Sequence, residues 1–526
     1  MLIKRLGLFL LLIILSFSTV MKVDASELSD LKIEQSKLSF LANEDLTKLA
    51  FFSEYDIYYD RKLYYNPEVR TLIEKYTAAE KHCEKSNVSV AYYEYKNILK
   101  DMKKDDFYYM TAAYKLTEIG FFSLAHYAMM KVEDKEIWEK HINFIRKHRF
   151  PNTNPSVTEE VFFAGLLSDI VYNNMTGESL SALEKNKAGN INSDYTEYLR
   201  AKAFYSDKEY KSALFHINKA LSKNQGNFIY KKFKAEILDA AGKETEALKT
   251  VKEIQNEKLF FIDIQKDLDK IKYHALSKTE KNEFKQKYYL AYYFYLNKDY
   301  QRAINELNLL ILKGENKKAP ELLGKIYLIT EKYDEALNLY TKILYKNDKS
   351  AFAHKGLGDI YLKNQNCAKA LEEYQKAYKN DSRNFDILTN LTIVSFKMKD
   401  EKSAKKYLSK LEKINPDNYK VLYLKSTILQ DTGKQNLKAS ICQNPFFSGG
   451  WLDMARDAMD MNDINSAEEY INTAAFITKK DARYFYYKSL LNTSKRDFKT
   501  AKADILRAKE LVEEKTMSKR KIYEQL

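Results

Sequence analysis

The sequence predicts an all-α fold, an α-solenoid of about ten helical hairpins of about 34 residues each, and three observations carry that prediction. The first is a row of alanines at near-fixed spacing: Ala91, Ala125, Ala213, Ala247, Ala303, Ala336, Ala370, Ala404, Ala467 and Ala501. Neighbours without an interruption lie 34 residues apart, once 33. The second is another small residue twelve positions before each marker: Ala79, Ala113, Ala201, Ala235, Ala291, Gly324, Gly358, Thr392, Ala455 and Ser489. Small residues at both points let two helices approach closely. The third is composition, with 45% hydrophobic residues but only 14 Gly and 6 Pro among 526, which suits helices rather than turn-rich sheets.

The offsets define each hairpin. Nine residues before the marker an aromatic or Leu recurs, as in Leu116, Phe204, Leu238, Phe294, Tyr327 and Tyr361. Seven after it the residue is apolar, as in Ile98, Ala220, Leu310, Ile343, Ala377, Leu411 and Ala508. These positions fall on one stripe of each of two short helices. Turn-like stretches such as Asn297-Lys298-Asp299, Glu331-Lys332 and Gly433-Lys434 separate them.

These residues resemble the tetratricopeptide repeat family. Leu323-Gly324-Lys325-Ile326-Tyr327 with Tyr333-Asp334-Glu335-Ala336-Leu337 carries the pattern, as do Leu357-Gly358-Asp359-Ile360-Tyr361 with Ala370-Leu371, and Trp451 with Ala455 and Ala467. Gly120, Gly242 and Gly433 stand where the family often has a turn glycine, and Pro416 matches its closing proline. The resemblance covers about residues 72–135 and 194–511. It implies a right-handed superhelix whose first helices line a concave groove for protein or peptide partners.

Along the chain, residues 1–25 read as a signal peptide: Lys4 and Arg5 precede the apolar run Leu6 to Leu15, and Val23-Asp24-Ala25 offers a cleavage site. This predicts export to the periplasm, cell envelope or medium of a bacterial cell. The 16 residues from Leu6 to Met21 fall short of the roughly 20 of a membrane span, and an uncleaved anchor is the alternative. No other stretch is apolar enough to cross a membrane. Residues 26–71 form a Lys/Glu-rich helical lead-in and 72–135 a first repeat pair. Residues 136–193 form a degenerate segment in which Glu159–Tyr172 and Leu180–Lys185 still read as helical. A second pair spans 194–258, and an inserted linker helix lies within 259–284, because Ala247 and Ala303 are 56 residues apart. An array follows over 285–447; its last unit is degenerate, with Lys438 at the marker site and Cys442-Gln443-Asn444-Pro445 cutting the second helix short. A C-terminal pair covers 448–511 and a polar helix end 512–526, with residues 499–526 expected to shield the last repeat from water. Two arms are expected to meet near residues 255–285.

No catalytic constellation is present in the sequence. The seven histidines are scattered, without an HExxH pair, and His141 and His148 read as surface residues of a basic segment rather than metal ligands. No glycine-rich phosphate loop follows a strand. Cys83, Cys367 and Cys442 are an odd set and read as packing thiols without a disulfide framework. A net charge of +14 invites nucleic acid, but 87 basic residues are interspersed with 73 acidic ones as on solvated helix faces, so none is expected. The expectation is a non-enzyme without cofactor or metal.

Function is therefore sought in the groove. Positions 15, 11 and 8 before the marker form an i, i+4, i+7 stripe on the first helix, on the face not used for packing. In the units around Ala213 and Ala303 they give Tyr198, Lys202 and Tyr205, and Tyr288, Tyr292 and Tyr295. Elsewhere the stripe gives Tyr76, Tyr114, Tyr423 and Tyr486, with Lys232, Lys325, Lys355 and Arg456. A tyrosine offers a rigid apolar body with a polar tip, suited to extended peptides or to sugar rings. With 41 tyrosines, the stripe also has a purely compositional explanation. Relatives that grip the C-terminal carboxylate of heat-shock chaperones carry Lys and Asn at the first two stripe points; here the pairs read Tyr288/Tyr292, Glu321/Lys325, Lys355/Asp359 and Thr389/Ile393. The expected partner is a protein or peptide, with a carbohydrate of an envelope polysaccharide system as the alternative.

Overall fold

The computed structural model describes residues 28–39, 41, 45–51, 67–101, 106–152, 155–185, 193–257, 262–313, 318–429, 433–477 and 481–523. The expected signal peptide lies outside them. Every regular element among the described residues is a helix, and none of these helices is long and apolar enough to cross a membrane. All ten marker alanines are fully buried, and Ala79, Ala113, Ala201, Ala235, Ala291, Thr392, Ala455 and Ser489 are equally sealed. Each such pair sits where the two helices of a hairpin cross, for example Asp194–Ser206 against Tyr210–Lys223.

The turn follows one rule throughout. Five residues before every marker the backbone enters the left-handed region, at Ser86, Gly120, Lys208, Gly242, Lys298, Glu331, Gln365, Lys399, Asn462 and Arg496, with φ between 57° and 96°. Only two of the ten are glycine, so eight side chains bear a strain of about 1 kcal/mol each. The next residue then caps the second helix: Asp299, Asp400, Asp463 and Asp497 accept from the backbone N–H three positions on, at 3.0–3.2 Å. Gln365→Gly is accordingly expected to raise stability by about 0.5–1 kcal/mol in chemical denaturation, since glycine meets no Cβ penalty at that φ.

The same geometry exposes a hairpin that the alanine spacing conceals. Helices Val157–Tyr172 and Thr176–Lys185 flank Asn174 at φ 55°, and Ser179, only 1% exposed, takes the marker place five residues later. Helix Ile262–Thr279 occupies the insertion. It is tied to the preceding hairpin by His274 Nδ1 to Asp239 Oδ2 at 2.6 Å and by Lys232 to Asp267 at 2.7 Å. On its other side the Tyr273 ring stacks on Tyr292 at 4.1 Å. Packed on both flanks, it does not separate two arms as expected.

The chain divides elsewhere, between Ile414 and Asn415. One compact unit holds the repeats from Asn66 to Ile414; the other joins the described residues of Met1–Phe51 to Asn415–Leu526. In that second unit the helix over 28–37 packs on the last repeat. Gln35, 5% exposed, donates to Ser489 Oγ at 2.9 Å and Thr493 Oγ1 at 2.8 Å, and Lys509 pairs with Glu34 at 3.7 Å. Leu31, Leu38 and Leu41 are buried beside it. The last repeat, Ala482–Ser494 with Phe498–Tyr523, is thus covered by the helix over 28–37.

A candidate partner-binding cavity

Five first helices, Pro67–Glu84, Asp106–Ile119, Val157–Tyr172, Asp194–Ser206 and Phe228–Ala240, line one cavity of about 280 Å³ in the larger unit. Their hairpin pairing turns the free side of each first helix toward the others. The apolar wall comes from Phe122, Tyr195, Tyr198, Phe228, Tyr230 and Phe233. Tyr198 stacks between Tyr195, at 5.7 Å, and Tyr230, at 5.1 Å. Burial pushes all three phenols above their ordinary range, so they stay neutral donors.

The charged part of the lining is nearly all matched. Lys115 pairs with Glu80 at 2.8 Å and Arg149 with Glu118 at 2.9 Å. Lys232 meets Asp267 at 2.7 Å and Glu236 at 3.8 Å. Burial opposes the Lys232 charge, but Glu236 and Asp267 outweigh it and raise the ammonium above its usual range. Lys202 differs. Its Nζ lies 3.8 Å from the Phe233 ring centre and 5.6 Å from that of Tyr198, and among the described residues no carboxylate or hydrogen-bond acceptor meets it. Desolvation holds its ammonium below the ordinary value. Cys83, also on the wall, is buried, which pushes its thiol up to about 12 and leaves it a poor nucleophile.

One wall helix carries a buried acid. Glu160, 2% exposed, accepts from the Ser123 backbone N–H at 2.7 Å and from Ser123 Oγ at 2.6 Å, yet burial lifts its carboxyl to about 7. Because the folded value exceeds the unfolded one, ionisation works against folding: stability is highest below the unfolded pKa and falls as pH rises toward 7. Glu160→Gln is expected to flatten this dependence, gaining on the order of 1–3 kcal/mol at pH 8 and little at pH 4, as read by denaturant titrations at both pH values.

The structure sorts the residues that the sequence stripe singled out. Tyr198 and Lys202 both line the cavity. Tyr205, one turn on, is half-buried with its ring edge against Phe233 at 5.3 Å. Tyr288, Tyr292, Tyr295 and Lys325 form a separate cluster, with Lys325 Nζ over the Tyr295 ring at 5.2 Å. Lys355 is bound to Asp359 at 2.8 Å. Tyr423 lies in the other unit, 2% exposed, with its hydroxyl on Asp453 Oδ2 at 2.5 Å.

Three of these tyrosines are not on a free face. Tyr198, Tyr295 and Tyr423 are 8%, 4% and 2% exposed, because rings of adjacent first helices and of their own hairpin close over them. A joint Tyr288, Tyr292 and Tyr295 replacement would therefore remove core packing as well as groove surface. His141 is likewise buried rather than at the surface, with its ring beside Trp138 and Nδ1 3.1 Å from the Tyr114 hydroxyl; burial lowers its pKa to about 3. His148 Nδ1 instead meets Gly226 O at 2.7 Å. Arg149, Lys115, Tyr195 and Phe233 complete the site without lying on the stripe; Arg149 follows a helix outside the 34-residue period, and the others come from first-helix positions off the three stripe offsets.

Comparison with known proteins places the repeats. Residues 322–385 match the family profile described as tetratricopeptide repeat, and residues 270–343 match that of anaphase-promoting complex, cyclosome, subunit 3. A stretch of 181 residues is 26% identical to the protein O-mannosyl-transferase TMTC3 of Homo sapiens, covering 33% of this chain and 19% of that protein. The Mus musculus protein of the same name is 26% identical over 180 residues, with the same coverage of 33% and 19%. The chain thus spans about a fifth of the length of the curated relatives it matches. Among solved structures, PilF of Pseudomonas aeruginosa is 23% identical at a TM-score of 0.31, covering 40% of this chain and 97% of that one. The anaphase-promoting-complex hetero-tetramer Cut9–Hcn1 is 11% identical at a TM-score of 0.36, covering 84% of this chain and 96% of that one.

Proposed function

We propose that this chain, whose residues 322–385 match the tetratricopeptide repeat profile, is an exported, non-catalytic scaffold that captures a protein or peptide partner in the cavity between its first helices. The observation that carries the reading is the wall around Tyr198 and Lys202, an aromatic surface with one cation that no carboxylate pairs among the described residues. At about 280 Å³ the cavity falls just below the roughly 300–1,000 Å³ of small-molecule pockets, a size that suits partner side chains better than a saccharide chain. Export rests on the order of charge, apolar run and small residues before Ser26.

A photo-crosslinking residue in place of Tyr205 tests the capture in the native host, with one in place of Phe215, 56% exposed on the following helix, as control. Discrete adducts from position 205 alone are expected. Equal labelling from both positions, or none from either, rejects the reading. Sequencing the mature N-terminus tests export: Ser26 is the expected first residue, and a retained Met1 in the membrane fraction points to an anchor instead.

A further inference from the structure

We propose that the cavity around Lys202 receives an internal acidic side chain of the partner, set within an apolar stretch whose neighbouring residues lie across the cavity mouth. This deepens, and rests on, the scaffold reading given above. The argument begins with charge. Four cations line the cavity, and Lys115, Arg149 and Lys232 each already have a carboxylate within 2.9 Å. Among the described residues Lys202 alone has no carboxylate within ion-pair distance; Glu236, already engaged with Lys232, acts on it only at longer range, so the site has one unpaired ammonium to offer. A carboxylate entering a partly desolvated pocket gains a charge-assisted hydrogen bond to that ammonium, stronger than the same pair in water. Its methylenes would lie along the Phe233 and Tyr198 rings that now flank the ammonium.

The mouth decides between a side chain and a chain end. Val171 and Tyr172, among the lining residues, are 53% and 56% exposed and present an apolar surface at the edge of the cavity. They offer contact to residues that continue past the acid, which a segment running through supplies. A chain end terminating in an acidic residue would also bring two negative charges to one free cation. The stripe pair here, Tyr198 followed by Lys202, places an aromatic ring rather than a second polar donor one turn before the lysine.

The test uses the full mature chain and three fluorescent decapeptides with the same Leu- and Tyr-containing flanks. One has a central Glu and blocked ends, one a central Gln and blocked ends, and one a central Gln and a free C-terminal carboxylate. Binding is read by anisotropy. The blocked Glu peptide is expected to bind at least tenfold tighter than the blocked Gln peptide, with the difference abolished in Lys202→Met and largely kept in Lys202→Arg. Lys202→Met removes a cation without orphaning a carboxylate, so its thermal midpoint should match that of the parent and serves as the folding control. Equal binding of the two blocked peptides, or an unchanged Glu preference in Lys202→Met, overturns the proposal but leaves the scaffold reading standing. Preference for the free carboxylate over the central Glu overturns it in favour of a chain end. Binding of no peptide, together with no crosslink from position 205, overturns both.

Discussion

Replacing Arg483 by Met should destabilise the smaller unit, which contains the repeats after Asn415, by about 3–5 kcal/mol. Arg483 is fully buried and donates through Nη2 to Asp453 Oδ1 at 2.5 Å. Asp453, 5% exposed, also accepts from the Tyr423 hydroxyl and lies 3.1 Å from Arg456 Nη1, whose side chain is 42% exposed. Burial outweighs the lowering by Arg456 and the Tyr423 hydroxyl and raises the Asp453 carboxyl to about 6. Losing Arg483 leaves an interior carboxylate with one half-solvated cation. The sign with pH follows: a folded pKa above the unfolded value means that ionisation opposes folding, and removing the arginine raises that pKa further, so the loss should be smaller at pH 4 and grow as pH rises above about 6. Urea titrations at pH 4 and pH 8 check it. The double variant Asp453→Leu with Arg483→Met should recover most of the loss, because a buried pair replaced by apolar groups of similar size costs little. If the double variant is as unstable as the single one, the ion pair is not the reason Arg483 matters.

The second large effect concerns Tyr340. Its ring is 1% exposed and packs edge-on to Phe352 at 5.4 Å. Two glycines make room for it: a Cβ on Gly324 would lie 2.8 Å from Tyr340 Cε1, and one on Gly356 would fall inside the ring's contact distance. Gly358 is held in the same way by Tyr374, whose Cε1 would be 2.6 Å from an added Cβ. Tyr340→Ala should cost about 3–5 kcal/mol by opening a cavity in the repeat core. Gly356→Ala should cost about 1–3 kcal/mol by overpacking, despite alanine's better helix propensity. Combined, they should be less destabilised than Tyr340→Ala alone, since the new methyl enters vacated space. A double variant that loses the sum of both, measured by thermal and denaturant unfolding, removes the steric account of these glycines.

These two cases show what was and was not legible beforehand. The glycine at the small-residue position could be read as a helix crossing, but the tyrosine four residues after the marker, which requires it, is evident only once the rings are placed. Among the nine non-glycine residues with left-handed backbone, Lys208, Gln365 and Arg496 carry no turn signal in their own chemistry. Their geometry is imposed by the two helices they connect. Ser179 hid a hairpin because serine in place of alanine breaks a pattern counted in alanines, although it fits the same sealed space. In the site, Tyr198 and Lys202 were within reach of a periodic count. Arg149 was not, because it follows a helix that the period skips. Nor could counting show that Tyr295 and Tyr423 are covered: a stripe gives the direction a side chain leaves its helix, not what stands opposite.

The sequence alone determined the repeat, the helical hairpin and the positions that must be small, because close helix crossings every 34 residues tolerate no bulk and leave a periodic trace. Tertiary structure decided the rest. It divided the chain at Ile414 rather than at the inserted helix, and seated residues 28–37 on a repeat some 450 positions away through Gln35. It also left Lys202 as the cavity cation without a carboxylate. Each of these outcomes depends on pairings between distant residues, and such pairings obey distance and desolvation rather than spacing along the chain.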